Sequence, residues 1–291
     1  MHLVRFRDAD GKIRAGVLVR DRIRIPDSSV AVGSDPLRGL LTAGEDGLRQ
    51  FEQAADRTNE SRSVADVKVL SPLREPSKIV CVGLNYRSHM LETNSEQPGE
   101  PVIFSKFASS IIGPSDAIVI PAAAPKRVDY EAELAVVIGR EGRNIAEADA
   151  LAYVAGYTVS NDISARDWQL RKPSGQWLLG KTFETFLPLG PAIVTADEVP
   201  DYHTLRITCK VSGDLRQDAL AEEMLFSVEA VIAYVSRVFR LEPGDLILTG
   251  TPAGVGFVRQ PPAYLRESDV VETSIDGIGV LTNPVVAAPS Q

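Results

Sequence analysis

The sequence predicts an α+β protein built around a mixed β-sheet. Apolar runs rich in β-branched residues recur along the 291 residues, whereas helical spacing of apolar residues is clear only once. The order of these elements is not a regular alternation of strand and helix, which disfavours a doubly wound fold. Hydrophobic residues make up 44% of the chain and charged residues 24%, values typical of a globular protein with a sizeable core.

The first 20 residues predict a β-hairpin. Apolar runs over residues 3–6 and 13–19 flank the turn-forming cluster Asp8-Ala9-Asp10-Gly11. Residues 43–64 are polar and compatible with a helix. We therefore expect a small, β-rich region at the N-terminus.

A break in the pattern marks the end of this region. Pro72 and Pro76 lie within five positions of each other, and proline disfavours both a continuing helix and a central strand. We predict a small N-terminal domain over residues 1–72 and a larger domain over residues 73–288.

The larger domain is predicted to consist mainly of strands. The strand-like runs are residues 78–82, 133–138, 156–160, 206–211, 245–249, 270–275 and 278–281. Asp276-Gly277 joins the last two runs and is a strong hairpin signal. The one clear helix has apolar residues at helical spacing from Val228 to Phe239, and Glu242-Pro243-Gly244 ends it.

Charge and cysteine content limit the classes of function. The formal net charge is −8 and no basic run is present, which argues against nucleic-acid and anionic-membrane partners. No apolar run approaches the roughly 18 residues that span a bilayer, and the first residues are charged, so neither a membrane span nor a signal peptide is predicted.

Cys81 and Cys209 lie in apolar runs, which predicts a cytoplasmic protein with buried, reduced thiols. With only three histidines, any metal would be held mainly by oxygen.

One apparent nucleotide motif is rejected. Residues 175–182 match G-x-x-x-x-G-K-T, but Trp177, Leu178 and Leu179 are too bulky for a loop whose N–H groups surround a phosphate. Pro188 follows too soon for the long helix that the motif requires. Lys181 therefore needs another explanation.

Two carboxylates stand at the start of a predicted strand. Residues i and i+2 of a strand point to the same face, so Glu131 and Glu133 lie side by side. Such a pair is costly unless a cation neutralises it, which suggests a metal site. A solvated strand end paired with Lys126 or Arg127 is the alternative.

A third carboxylate follows another predicted strand. Asp162 lies where a strand runs into a loop, a common place for a ligand-binding or catalytic residue. From the residues alone, the favoured interpretation is that Asp162 or Ser164 is the N-cap of the next helix.

His89 and Glu92 are spaced i, i+3 and can touch on one helical turn. A carboxylate that orients an imidazole produces a general base, whereas an exposed surface pair is the alternative. The glycine-rich segment over residues 249–256 could let backbone approach a ligand, or could be a tight turn.

The order of these segments resembles the fumarylacetoacetate hydrolase family over residues 78–286. The segments that carry the resemblance are Val82-Gly83-Leu84-Asn85-Tyr86 with His89, Ile103-Phe104-Ser105-Lys106, Asp129-Tyr130-Glu131-Ala132-Glu133-Leu134, Asn161-Asp162-Ile163-Ser164-Ala165-Arg166-Asp167, Gly180-Lys181-Thr182-Phe183 and residues 249–256. Residues 104–110, 177–183 and 260–262 look closest to the branch of fumarylacetoacetate hydrolase domain-containing protein 2. That branch is associated with oxaloacetate keto–enol tautomerisation.

The resemblance implies a fold and a metal site. The fold is a mixed β-sheet roll with flanking helices, usually as a homodimer. The metal is Mg²⁺, with Mn²⁺ or Ca²⁺ as alternatives, held by Glu131, Glu133 and Asp162. An all-carboxylate ligand set suits such hard cations.

The resemblance also implies an activity. It indicates a metal-dependent hydrolase that cleaves a C–C bond in 2,4-dioxo acids such as acylpyruvates or fumarylacetoacetate, through an enolate held at the metal. In this scheme His89, oriented by Glu92 on a lid over residues 85–100, activates water, and Lys181 points into the site. The substrate-binding candidates for the 2-oxo acid are Arg166, Gln169, Thr251 and, more weakly, Lys106. Oxaloacetate tautomerase or decarboxylase activity at the same site is the alternative, and a catalytically silent metal-binding protein is the alternative of another class.

Overall fold

The computed structural model describes residues 1–26, 35–172 and 175–289, and within them strands predominate. The strands are β1 (His2–Arg7), β2 (Ile13–Val19), β3 (Arg22–Arg24), β4 (Ser61–Ser63), β5 (Lys68–Leu70), β6 (Ile79–Gly83), β7 (Val102–Ser105), β8 (Ile111–Ile112), β9 (Ile118–Ile120), β10 (Val128–Asp129), β11 (Ala132–Ile138), β12 (Val154–Asn161), β13 (Ser164–Ala165), β14 (Leu187–Thr195), β15 (Arg206–Val211), β16 (Asp214–Leu220), β17 (Leu246–Leu248), β18 (Val270–Ile275) and β19 (Gly279–Ala287). The α-helices are α1 (Pro36–Thr42), α2 (Gly44–Arg57), α3 (Arg87–Glu92), α4 (Arg166–Leu170), α5 (Leu178–Lys181) and α6 (Val228–Ser236).

The strands form one large mixed sheet, one smaller sheet and a two-stranded pair. The large sheet has the order β4-β3-β2-β1-β14-β12-β11-β17-β6-β7, with β5 beside β1 and β8 beside β14. Most neighbours in it are antiparallel, but β17 pairs with β6 in parallel. The five-stranded sheet has the order β16-β15-β18-β19-β9, and β10 pairs with β13. The predicted α+β class with a mixed sheet is confirmed.

The N-terminal hairpin belongs to the large sheet. β1 pairs with β14, where Leu3 lies opposite Ile193, so the hairpin continues the sheet of the larger domain. Leu3 also shares a buried apolar cluster with Ile79 from β6. The domain boundary near residue 72 stays a prediction.

β11 lies at the centre of the molecule. All seven of its residues are buried, because it pairs with β12 on one side and β17 on the other and both faces are covered. Leu134 and Val136 face one apolar cluster, and Ala135 and Val137 face the other. This alternation places Glu133 on the same face as Ala135 and Val137.

The predicted helix and the predicted C-terminal hairpin are both present, but the helix is shorter than predicted. Ser227 caps α6 by accepting a hydrogen bond from the N–H of Ala230, and the helix ends at Ser236, before Phe239. Gly277 has φ +75° in the predicted hairpin turn between β18 and β19. Among the described residues, no helix has the length and apolar character needed to cross a membrane.

Candidate active site

Three buried carboxylates meet where β11 and β12 lie side by side. Glu131 directly precedes β11, Glu133 is its second residue, and Asp162 directly follows β12. The antiparallel register sets Ala132 opposite Asn161, which brings the two strand ends together. One oxygen from each carboxylate lies within 4.8 Å of the others.

Asn161 fixes the backbone around these carboxylates. Its Oδ1 accepts a hydrogen bond of 2.9 Å from the N–H of Glu131, and its Nδ2 donates to Thr273 Oγ1 at 2.8 Å. The N–H of Asp162 donates to the carbonyl oxygen of Glu131 at 2.8 Å. Because these buried polar groups are all paired, the ligand atoms are held in place before any ion binds.

Two buried lysines form ion pairs with this cluster. Lys181 Nζ lies 2.6 Å from Glu131 Oε2 and 2.8 Å from Asp162 Oδ2. Lys106 Nζ lies 2.6 Å from Asp162 Oδ1 and donates to the carbonyl oxygens of Ile163 and Lys181. Burial alone would lower the pKa of Lys181, but Asp162 and Glu131 raise it above its usual value.

The three carboxylates are not equally compensated. Burial opposes ionisation of Glu131, but Lys181 and then Arg166 lower its pKa to about 2. For Glu133, burial and the neighbouring Asp162 and Glu131 raise the pKa well above its usual value. The contact to Glu133 is a 3.0 Å hydrogen bond from the N–H of Gly250, and no described Lys, Arg or His forms an ion pair with it.

This donor set fits a divalent cation. The oxygens come from carboxylates, which hard ions such as Mg²⁺ and Mn²⁺ prefer. The Glu133 carboxyl has no ion-pair partner among the described residues, and its pKa is raised. A bound cation would supply the positive charge that stabilises its ionised form. Glu131, Glu133 and Asp162 are therefore the residues that would hold such an ion.

Arg166 lines the site and has one guanidinium nitrogen without a partner among the described residues. Its Nε donates to Asp129 Oδ2 at 2.8 Å, and its Nη1 donates to Gln169 Oε1 at 2.8 Å and lies 2.6 Å from Glu131 Oε1. Its Nη2 is buried and has no hydrogen-bond partner among the described residues. A buried donor without a partner is costly, so Nη2 is suited to bind a ligand oxygen.

Asp129 holds Arg166 and was not among the predicted site residues. Besides Arg166 it accepts hydrogen bonds from the N–H groups of Gly256 at 2.7 Å and Phe257 at 3.0 Å. The Phe257 ring lies 4.4 Å from the guanidinium carbon of Arg166. The available sequence signal was the position of Asp129, two residues before Glu131 at the start of the strand.

His89 and Glu92 occupy one turn of α3. His89 Nδ1 lies 2.7 Å from Glu92 Oε1, and Glu92 Oε2 accepts a hydrogen bond of 2.8 Å from the N–H of Gly254. His89 is only 7% exposed, so the pair is not the exposed surface pair that the spacing left open.

These groups surround a cavity of about 250 Å³. The predicted residues that line it are His89, Glu131, Glu133, Arg166, Gln169, Lys181 and Thr251. Glu92 lies behind His89, and Asp162 is fully buried beside Lys181. Lys106 does not line this cavity, because its ammonium is enclosed by Asp162 and two carbonyl oxygens.

Two alternatives left open by the sequence do not agree with the structure. α4 begins after Ala165 without a side-chain cap, so neither Asp162 nor Ser164 is its N-cap. Glu131 and Glu133 are buried, so they are not a solvated strand end.

Thr251 Oγ1 donates to the carbonyl oxygen of Ala132 and accepts from Gln217, which fixes the glycine-rich segment against β11.

Comparison with known proteins shows the family of this chain. Residues 78–286 match the family model described as fumarylacetoacetate (FAA) hydrolase C-terminal. The chain belongs to the fumarylacetoacetate hydrolase family. Similar proteins include oxaloacetate tautomerase fahd2, mitochondrial, from Xenopus laevis, which is 49% identical over 98% of this chain and 90% of its own length. Oxaloacetate tautomerase FAHD2A, mitochondrial, from Homo sapiens is 53% identical over 76% of this chain and 70% of its own length.

Solved structures of fumarylacetoacetate hydrolase family proteins share the fold. Fumarylacetoacetate hydrolase from Exiguobacterium antarcticum has a TM-score of 0.85 and 39% identity, covering 99% of this chain and all of that one. Maleylpyruvate hydrolase from Sphingobium sp. SYK-6, in complex with manganese (II) ion and pyruvate, has a TM-score of 0.84 and 31% identity with the same coverage. The predicted fold of this family is therefore confirmed.

The predicted cytoplasmic location is wrong on this comparison. The oxaloacetate tautomerases from Xenopus laevis, Homo sapiens and Bos taurus are named as mitochondrial proteins. The prediction relied on Cys81 and Cys209, which are both buried and free. Reduced thiols indicate a reducing environment and do not identify the cytosol among such compartments.

Proposed function

We propose that this enzyme interconverts the keto and enol forms of oxaloacetate with the help of a divalent cation, Mg²⁺ in the first instance. The observation that carries the proposal is that His89, oriented by Glu92, lines the same cavity as Lys181 and two carboxylates of the cluster, Glu131 and Glu133. Tautomerisation needs a base that moves a proton at carbon 3 of the substrate. It also needs a positive charge beside the 2-oxo oxygen, where negative charge develops. The names of the relatives at about half identity select this reaction among those that pass through an enolate.

The residues divide the work as follows. Arg166 Nη2 binds a carboxylate oxygen of the 2-oxo acid, since it is a buried donor without another partner among the described residues. Lys181 Nζ carries three N–H donors, and two of them are directed to Glu131 and Asp162. The third stabilises the negative charge that develops on the 2-oxo oxygen of the substrate. A divalent ion held by the three carboxylates would add positive charge at that same oxygen.

His89 moves the proton at carbon 3 of the substrate. The Glu92 carboxylate beside Nδ1 favours the tautomer with the proton on Nδ1, which leaves Nε2 to accept the proton from carbon. To complete the enol, the 2-oxo oxygen takes a proton from water and the His89 imidazolium gives its proton back to water. The reverse reaction follows the same steps backwards, with Nε2 returning a proton to carbon 3. Lys181 serves both directions because the enolate is common to them.

Hydrolysis of a C–C bond in 2,4-dioxo acids is the second candidate. A similar fold is seen in maleylpyruvate hydrolase, whose structure contains manganese (II) ion and pyruvate. In this reaction His89 would deprotonate water instead of carbon, and Lys181 would stabilise the departing enolate. Decarboxylation of oxaloacetate needs the enolate stabilisation but not the base.

One experiment separates these reactions. The purified protein, with Mg²⁺, with Mn²⁺ and with chelator, is mixed with enol-oxaloacetate and separately with a panel of acylpyruvates, and ultraviolet absorbance is followed. Fast metal-dependent approach to the keto–enol equilibrium without loss of total oxaloacetate supports the tautomerase. Cleavage of acylpyruvates with little effect on the tautomers overturns it in favour of the hydrolase, and inactivity on both would support the silent metal-binding alternative.

We further propose that the protein is a homodimer and that residues 1–72 form a small N-terminal domain, as expected for its family. Light scattering that gives about one chain mass at working concentration would contradict the dimer. Limited proteolysis should cut near residue 72 if the boundary is where the sequence predicts it.

A further inference from the structure

Part of the cavity lining carries no ionisable group. Its residues are Val82, Gly83, Leu84, Phe104, Leu170 and Trp177. Trp177 directly precedes α5, and Lys181 is the last residue of that helix. The indole and the Lys181 ammonium are therefore about one helical turn apart, and both line the cavity.

Trp177 lies directly on the backbone of Gly83. A Cβ atom at Gly83 would stand 2.4 Å from Cζ3 and 2.9 Å from Cη2 of the indole, closer than any real contact. Gly83 is the last residue of β6, and its φ is not positive, so the close approach of the indole is what requires glycine here. No substrate atom can enter between the ring and the strand.

Phe104 supports the indole from the neighbouring strand. The rings of Phe104 and Trp177 pack edge to face with centroids 5.4 Å apart. The ammonium of Lys181 lies 5.1 Å from the centroid of Phe104. Phe104 therefore contacts both the charged Lys181 and the aromatic Trp177. The indole of Trp177 is held between Phe104 and the backbone of Gly83.

We propose that Trp177 determines substrate specificity by limiting the group attached at carbon 3 of the 2-oxo acid to about the size of a carboxylate. This proposal rests on the proposed function, which places the 2-oxo oxygen at Lys181. With the polar end of the substrate at Lys181 and Arg166, the remainder of a longer acyl or alkyl chain meets the indole. The substrate class is then the short-chain 2-oxo acids, which include the four-carbon oxaloacetate.

Binding of unbranched 2-oxo acids tests this proposal without relying on turnover. Calorimetry in the presence of Mg²⁺ compares oxalate, 2-oxobutanoate and 2-oxooctanoate on the wild type and on Trp177→Ala, Trp177→Phe and Leu179→Ala. Leu179 belongs to the same short helix but is 56% exposed and does not line the cavity, so it is the matched control.

We expect Trp177→Ala to bind 2-oxooctanoate at least about tenfold more tightly than the wild type, with oxalate affinity unchanged. Trp177→Phe should fall between the two, and Leu179→Ala should match the wild type. Wild type that binds 2-oxooctanoate as tightly as 2-oxobutanoate overturns the proposal. So does a Trp177→Phe variant that weakens all three ligands equally, because that result indicates a structural role through α5 and Lys181.

The two proposals can fail separately. If the wild type fails to interconvert oxaloacetate tautomers but Trp177→Ala still admits the longer 2-oxo acid, the proposed reaction is wrong and the specificity assignment stands. If tautomerisation is fast and the size ranking is unaffected by Trp177, the specificity assignment is wrong.

Discussion

The carboxylate of Glu92 joins His89 to the glycine-rich segment, since Oε1 lies 2.7 Å from His89 Nδ1 and Oε2 accepts the N–H of Gly254 at 2.8 Å. Gly254 has φ +110°, and a Cβ there would stand 1.9 Å from the carbonyl oxygen of Arg216. Glycine is therefore required for this N–H to reach Glu92. The short helix α3 is attached in this way to the segment that also contacts β11 through Thr251. Mobility of the lid over residues 85–100 stays a prediction.

Glu92→Gln should lower kcat without changing the affinity for Mg²⁺. The amide keeps an oxygen for one partner but loses the charge that favours the productive tautomer of His89. We expect kcat to fall by up to about 100-fold. Loss of the general base itself typically costs about 10²–10⁴-fold, and Glu92 only orients that base. Steady-state kinetics with calorimetry of Mg²⁺ binding checks this. An equal loss in Mg²⁺ affinity would instead show that Glu92 supports the whole site.

The sequence predicts nine of the 19 strands in the described residues and all of the ionisable side chains that line the cavity. Period-2 alternation places Glu131 and Glu133 on one face, and Asp162 lies at a strand end, which are local consequences of β geometry. The i, i+3 spacing likewise brings His89 and Glu92 together. These features depend on residues close in the chain and on a register that one hydrophobic pattern determines.

The rest of the site depends on contacts between distant segments. Lys106 lies 56 positions from Asp162, and Asp129 lies 37 positions from Arg166, so no local spacing shows either ion pair. The free Nη2 of Arg166 appears only when every neighbouring acceptor is placed. For the same reason the sequence proposes Lys106 as a substrate ligand, although tertiary packing encloses its ammonium.

Glu133→Gln should abolish tight Mg²⁺ binding without destabilising the metal-free protein. Glu133 has no ion pair with a described residue and lies beside two other carboxylates, so removing its charge relieves repulsion. Glu131→Gln is the matched control, since it also removes a ligand but breaks contacts with Lys181 and Arg166. Calorimetry and thermal unfolding with chelator measure both effects. A lower Tm for Glu133→Gln than for Glu131→Gln would contradict this account.

Lys106→Met should destabilise the fold by about 3–5 kcal/mol, because it leaves a buried carboxylate with one cation fewer. The side chains of both Lys106 and Asp162 are fully buried. The control is Lys68→Met, whose ion pair with Asp116 at 2.7 Å is solvent-exposed and is worth about 1 kcal/mol or less. Urea unfolding gives the two free energies. Equal, small losses would mean that Lys106 does not hold Asp162.

Asp8→Asn should lower stability near neutral pH, and this loss should disappear in acid. The hydrogen bond from Arg62 lowers the pKa of Asp8 below its ordinary value, with Arg14 also close. A lowered folded-state pKa gives stability that is present above the ordinary pKa and lost as the pH falls through the folded-state pKa. The Tm difference from wild type should therefore shrink as the pH falls below about 4. Asp46→Asn, at an exposed position, should show no such change.

His89→Ala should distinguish the reactions that share the enolate. Hydrolysis needs an activated water, and loss of the general base should cost about 10²–10⁴-fold in acylpyruvate cleavage. Tautomerisation needs a group that moves the proton at carbon, so it should fall by a comparable factor if His89 fills that role. Oxaloacetate decarboxylation should keep most of its rate, because Lys181 still stabilises the developing charge at the substrate oxygen. Lys181→Ala should damage all three reactions and is the positive control.

Rates of all three reactions are measured on one preparation of each variant, with Mg²⁺ affinity as the check that the carboxylate cluster is intact. If His89→Ala interconverts oxaloacetate tautomers as fast as the wild type, the proton is moved by another group, and the role given to the His89–Glu92 pair is wrong.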